Sequence, residues 1–212
     1  MADWVTISSL ATAGGTLVLA VATFASVRSA NRAARVAERA LLVGLRPVLT
    51  LSREQDPGLE VGFGDEQSFR VEGGTAAVTE VDGNVYMVIP LRNVGAGLGV
   101  LHGWYLSRGR RVGFDPRDVI DDFRAQQLDL YVPPGDLGWW QGAVRDADDP
   151  FLTPAREALA ERDALTIDLL YGDHEGGQRT ISRFVLFPSE DEHWPGRVLH
   201  HWRVEEVDPR PF

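Results

Sequence analysis

The densest run of chemistry-bearing side chains is Asp173-His174-Glu175, set between Tyr171-Gly172 and Gly176-Gly177. Oxygen and imidazole ligands of this kind bind divalent cations, yet three consecutive residues do not converge on one ion without a ligand from elsewhere. With two glycines following to supply positive φ, a solvated hairpin turn is the simpler reading. His200-His201 lies in a strand-like run, where neighbouring side chains point to opposite faces, so the two imidazoles are not a joint ligand pair. His102 and His193 stand alone and read as structural. Ser107 and the other serines lack the Gly-x-Ser-x-Gly frame of a nucleophile elbow. Gly95-Ala96-Gly97-Leu98-Gly99 fails as a dinucleotide loop, because its third glycine comes too early and a strand follows it. Asp121-Asp122, Asp146/Asp148/Asp149 and Glu190-Asp191-Glu192 read as solvated loops. No catalytic, cofactor or metal set is therefore assigned. A site assembled from scattered Asp173, His174, Glu175, His102 and His200 is the one enzymatic option left.

Leu130-Tyr131-Val132-Pro133-Pro134-Gly135-Asp136-Leu137-Gly138-Trp139-Trp140 joins a proline–glycine turn to two adjacent indoles. On a strand those rings face opposite ways, so one belongs to the core and the other needs cover. Left uncovered, Trp139 or Trp140 marks a protein-binding patch; packed beneath an insert or the juxtamembrane helix, it does not.

The elements that position these residues run from Arg46 to Phe212. Val48–Leu51, Leu59–Phe63, Phe69–Val71 and Ala76–Val81 are short strand-like runs, and Asp82-Gly83 predicts a hairpin turn. Asn84–Val94 is apolar on both faces, the mark of a central strand. Gly99–Ser107, Leu128–Val132, Trp139–Val144, Leu165–Tyr171, Arg179–Phe187 and Val198–Val204 complete the set. Helical inserts are expected near Pro116–Ala125 and Pro154–Arg162, each with proline where a first turn accepts it. Many short strands between Gly, Pro and Asp turns predict a mainly β fold, an immunoglobulin-like β-sandwich with short helical inserts, with a closed barrel as the alternative. Strands do not alternate with long helices, which argues against a doubly wound α/β fold.

Ahead of this body, Trp4 to Val27 holds no charged residue and covers ~36 Å at ~1.5 Å per residue, more than a ~30 Å hydrocarbon core. A signal peptide needs a basic region before its apolar run, and only Met1-Ala2-Asp3 stands there. Residues 1–27 are thus expected to be a transmembrane anchor and residues 28–45 a juxtamembrane helix, ending before Arg46-Pro47. Rotation by ~100° per residue gathers Arg28, Arg32, Arg35, Arg39 and Arg46 within ~60° of arc. The opposite side carries Ser8, Thr12, Gly15, Leu19, Ala22, Ser26, Ala30, Ala33, Ala37 and Ala40, a small-residue face of the kind that lets helices pack closely in lipid. An arginine excess after the span, with none before it, orients the C-terminal domain to the cytoplasm and the N-terminus outside.

Charge is unevenly spread. Asp3 alone precedes Arg28, and residues 28–46 hold five arginines against Glu38, so residues 47–212 carry −13 within a net charge of −10. An acidic body of that size is repelled by phosphate backbones, which excludes nucleic acid as an expected partner. Cysteine and lysine are both absent; no thiolate chemistry is available, and the 21 basic residues are all arginine.

Leu91-Arg92-Asn93-Val94-Gly95-Ala96-Gly97 and Tyr171-Gly172-Asp173-His174-Glu175-Gly176-Gly177-Gln178-Arg179 resemble segments of bacterial, actinobacterial-type proteins that carry an immunoglobulin-like sandwich behind one membrane helix. The resemblance implies that architecture and no activity. The expectation is a non-enzymatic single-pass protein of the cell membrane, an interaction, accessory or scaffolding subunit without a cofactor. Its partners would be the bilayer and another membrane protein or a second copy. A tethered sensor or ligand-binding domain is the alternative, with a hydrolase behind it.

Overall fold

The computed structural model describes residues 3–128, 130–175, 178–190 and 193–204, without the side chains of residues 4–7, 10, 11, 39 and 42. Arg39 of the arginine face, in its side chain, and Gly176 and Gly177 of the expected hairpin lie outside the described residues. The chain divides into two compact units, Met1–Gly44 and Leu45–Phe212.

The first unit is one helix, α1 (Asp3–Gly44), of 42 residues or ~63 Å. Within it, Thr12–Glu38 is long and apolar enough to cross a membrane. Leu17, Val18, Leu19, Val21 and Phe24 each expose more than half of their surface. The threonine hydroxyls are turned back onto the helix: Thr12, Thr16 and Thr23 donate to the carbonyls of Ser8, Thr12 and Leu19 at 2.8–2.9 Å. Such bonds meet these three hydroxyl donors within the helix, and an unmet donor is costly in an apolar medium.

The second unit is mainly β. It opens with β1 (Leu49–Leu51), the hairpin β2 (Leu59–Gly62) and β3 (Ser68–Val71), then β4 (Thr75–Val81), β5 (Asn84–Asn93) and β6 (Gly99–Arg108). A 3₁₀ turn at Pro116–Asp122 leads to β7 (Arg124–Ala125), β8 (Tyr131–Val132) and β9 (Leu137–Val144). Helix α2 (Leu152–Glu161) precedes β10 (Leu165–Gly172), β11 (Thr180–Leu186) and β12 (Trp194–Arg203). Strand pairing is antiparallel in the order β1-β5-β4-β12-β11-β10-β6-β7, with β9 on the other edge of β5 and β8 on β6. Among the described residues, strand pairing joins the two halves, β1/β4-β5-β9 and β12-β11-β10-β6-β7/β8, where Trp194 and Pro195 pair with Ala76 and Thr75. Their inward faces share one core, consistent with the expected sandwich.

Local chemistry explains most of the strand ends. Asp82 and Gly83 take φ of 51° and 80°, the two positive values that a tight β4–β5 hairpin requires. Strand β5 is apolar on both sides because both are covered. Val85, Met87, Ile89 and Leu91 enter the main core, while Tyr86 and Val88 pack under Val61, Phe63 and Val71 of the β2–β3 hairpin. Each such buried side chain contributes ~1.5–3 kcal/mol relative to exposure. Trp104 and Trp140 meet edge to face at 5.3 Å in the main core, and Phe151 closes against Trp104 at the same distance.

Two expectations shift. The insert expected over Pro116–Ala125 is a 3₁₀ turn that stops at Asp122: Val119 is non-helical (φ −122°, ψ 24°), Phe123 is extended, and Arg124–Ala125 pairs with β6 instead. Strand β12 begins at Trp194, earlier than its apolar run suggests, with Pro195 accommodated at the seam between the two halves.

Candidate functional site

The outer face of the β12-β11-β10-β6 layer carries polar side chains where solvent would be expected, yet a loop covers them. Asp168 on β10 and Arg183 on β11 are register partners, exposed by only 1% and 2%. Arg183 Nε and Nη2 donate to the two carboxylate oxygens at 2.8 and 2.7 Å, and Nη1 donates to the carbonyls of Arg111 (2.7 Å) and Phe114 (3.0 Å). Trp202 of β12 lies over the guanidinium at 4.8 Å. Burial pushes the Asp168 carboxyl up and Arg183 pulls it back down. This ion pair fastens the Gly109–Asp115 loop to the sheet, aided by Thr166, whose hydroxyl donates to the Gly109 carbonyl at 2.6 Å.

The fastened loop places Arg111 between two cavities. One, of about 490 Å³, is lined by Tyr105, Ser107, Arg108 and Arg111 with Asp122, Phe151 and Pro154 opposite. The other, of about 410 Å³, is lined by Arg111, Phe114, Arg183, Leu199, His200 and Trp202. The Arg111 guanidinium stacks 4.6 Å from the Phe114 ring centre, and His200 stacks on Trp202 at 4.3 Å. Among the described residues no carboxylate pairs with Arg111 and no cation pairs with Asp122. Arg108, by contrast, donates to Glu157, Glu161 and Asp163, and these contacts raise its pKa. The Ser107 hydroxyl is buried and has no hydrogen-bond partner.

A third cavity, of about 460 Å³, lies between the free edge of β9 and the segment 124–128. Outward carbonyls of β9 are met there by side chains: Gln126 Nε2 donates to Gln141 O at 3.2 Å and Arg124 Nη1 to Ala143 O at 3.4 Å.

Comparison with known proteins gives no relative. No family model, curated protein or solved structure matches the chain. Its site residues are therefore judged on geometry alone.

The structure does not gather the scattered catalytic option into one cluster, although Asp173 and His102 interact electrostatically. Asp173 is buried, whereas His174 and Glu175 are exposed in the turn that follows. His102 sits where the β6–β10 register slips, its Nε2 buried without a partner; burial and then Arg179 lower its pKa while Asp173 raises it. His200 faces the Trp202 cavity, and His201 faces the other way, with Nδ1 2.6 Å from Ser182 Oγ. Among the described residues no three His, Asp or Glu side chains gather to hold a metal ion. Trp140 is fully buried, and Trp139 is half-buried against the β2–β3 cluster.

Both motif segments have structural tasks where the chain enters the body. Asn93 is fully buried; its Oδ1 accepts from the backbone N–H groups of Val48 (3.2 Å) and Gly95 (3.0 Å), and its Nδ2 donates to the carbonyls of Gly97 (2.7 Å) and Val132 (3.0 Å). A Cβ on Gly97 would overlap the Leu45 carbonyl, so glycine is needed for this close approach. Tyr171 Oη accepts from the Leu49 N–H at 3.2 Å and contacts Ser182 Oγ at 2.9 Å.

Arg111, Asp122 and the Asp168–Arg183 pair carry this face, and none was singled out as a site residue from sequence. One signal was present for the pair. Asp168 and Arg183 are the charged residues of two otherwise uncharged, consecutive strands, and a buried charge is tolerated only when paired.

Proposed function

We propose that this protein is a non-enzymatic, single-pass membrane protein that serves as an interaction, accessory or scaffolding subunit. The observation that carries the reading is α1, which holds a stretch long and apolar enough to cross a membrane. An exposed apolar surface of that extent needs lipid or a partner helix. Ser8, Thr12, Gly15, Leu19, Ala22, Ser26, Ala30, Ala33, Ala37 and Ala40 form the proposed packing face for a second copy or another membrane subunit. Arg28, Arg32, Arg35 and Arg39 follow the uncharged run that ends at Val27 and would meet anionic headgroups on the cytoplasmic side of the cell membrane, leaving the N-terminus outside. The Asn93 latch and the Tyr171 contact give both motif segments one task, which supports the likeness to bacterial anchored proteins of immunoglobulin type.

The test is extraction of the full chain at native abundance. Retention in the membrane through an alkaline wash, release by gentle detergent and co-purification of a stoichiometric membrane partner or second copy are expected. A chain that leaves the membrane in the wash, or that extracts as a lone monomer, refutes the reading. A C-terminal reporter active only outside the cytoplasm should stay silent; activity there would reverse the orientation.

A second reading, a membrane-tethered ligand-binding domain, is favoured by the cavity that joins unpaired Arg111 and Asp122 to a buried, unpartnered Ser107 hydroxyl.

A further inference from the structure

We propose that the Gly109–Asp115 loop, together with the outer face of β12, is a docking surface for an acidic segment of a partner protein that sets an apolar side chain beside its carboxylates. The proposal rests on the accessory-subunit reading above and names the chemistry of a partner that the β-body would hold. Val112 on the loop and Leu199 on β12 are exposed by 83% and 41%, and both line the cavity of about 410 Å³ whose walls are Phe114 and Trp202. A single exposed apolar residue is ordinary, but two of them beside half-buried aromatic rings offer an anchor residue a dry seat.

Charge fixes the rest of the partner's chemistry. Arg111, Phe114, Arg183, Trp202 and His200 form a ladder in which guanidinium groups are interleaved with rings, at successive separations of 4.6, 5.8, 4.8 and 4.3 Å. Asp168 neutralises Arg183, and Asp115, which also lines the cavity, is taken by Arg117. Arg111 and its exposed neighbour Arg110 form no ion pair among the described residues. The −13 carried by residues 47–212 repels an acidic chain over most of the body, so this unpaired dyad marks where one can approach. The seat is also rigid. Arg183, itself exposed by only 2%, donates to the carbonyls of Arg111 and Phe114, so the loop is in place before a partner arrives and docking bears little ordering cost.

Photocrosslinking of the full chain in intact cells tests this, with p-benzoylphenylalanine replacing Val112. The control position is Tyr131, which is 63% exposed on β8 and pairs with the opposite end of β6. A discrete protein adduct is expected from position 112, mapped by mass spectrometry to a segment of the partner with Asp or Glu beside Leu, Ile, Val or Phe, and no such adduct from position 131. Arg111→Glu in the same chain should cut the adduct by about tenfold with an unchanged melting temperature, and Arg110→Glu should weaken it in the same direction. An adduct to a neutral or basic segment, to lipid or to a second copy of this chain overturns the proposal. So does an adduct that Arg111→Glu leaves undiminished, or none at all from position 112. If a stoichiometric membrane partner still co-purifies on extraction, only the docking surface falls; if no partner co-purifies either, the accessory-subunit reading falls with it.

Discussion

His201 Nδ1 lies 2.6 Å from Ser182 Oγ, and this contact ends a chain of hydrogen bonds that begins at the Leu49 N–H. The Leu49 N–H donates to Tyr171 Oη, which lies 2.9 Å from Ser182 Oγ; with the tyrosine hydrogen given to the serine and the serine hydrogen to Nδ1, every group in the chain is paired. An accepting Nδ1 requires neutral imidazole. Protonation turns it into a donor and leaves one buried hydroxyl hydrogen without an acceptor.

Acidification should therefore destabilise the body. Burial holds the pKa of His201 below the ordinary value, with His200 adding to the effect, and burial does the same for His102. With the folded-state values depressed, the unfolded chain takes up protons first as pH falls below the ordinary histidine range of ~6.5. The contribution of the two imidazoles is present above that value and is lost as pH drops through the folded values. Urea unfolding of the full chain in micelles from pH 7.5 to pH 5 should show a falling midpoint. Replacing both histidines with glutamine should flatten the slope, and an unchanged slope would refute their role.

Removing Arg183 should be among the most damaging substitutions in the protein. Arg183→Met leaves the Asp168 carboxylate buried and unpaired, at a cost of about 3–5 kcal/mol. Combining it with Asp168→Leu should recover much of that loss, because no charge then stays behind. A double-mutant cycle by chemical denaturation measures both, and additive losses would contradict the pairing.

Asn93→Ala should cost about 3 kcal/mol, since it strips the Val48 and Gly95 N–H groups and the Gly97 and Val132 carbonyls of a partner together. Gly97→Ala should also destabilise, through overlap with the Leu45 carbonyl. Proteolysis near residues 45–48 is the readout, and faster cleavage in both variants is expected.

On α1, Gly15→Leu and Ala22→Leu place bulk on the small-residue face. Both should weaken helix association in a membrane two-reporter assay, whereas Phe24→Leu, away from that face, should not. Equal signals from all three would remove the partner-helix proposal.

Periodicity and turn chemistry made most of the architecture readable. The uncharged run before Arg28, the Asp82-Gly83 turn and the two-faced β5 each follow from local rules that tertiary contacts did not overturn. Short elements were not readable in the same way. Strand β7 is two residues long, and its pairing with β6 was set by distant partners rather than by its own pattern. The Arg111 cavity was hidden for a related reason. Arg111, Asp122 and Ser107 carry no shared spacing, and the Asp168–Arg183 clasp, formed between strands with Thr166 beside it, brings the loop over the sheet.

The free margin of β9 has a further consequence. Under the proposed anchoring, copies of the chain would meet on a two-dimensional surface, where local concentrations are high and a bare strand margin would nucleate stacking. Here the carbonyls of Gln141 and Ala143 are already occupied by Gln126 and Arg124. Those two side chains act as stoppers against polymer growth: crowding in the bilayer plane should favour contact through the helices rather than fusion of the sheets.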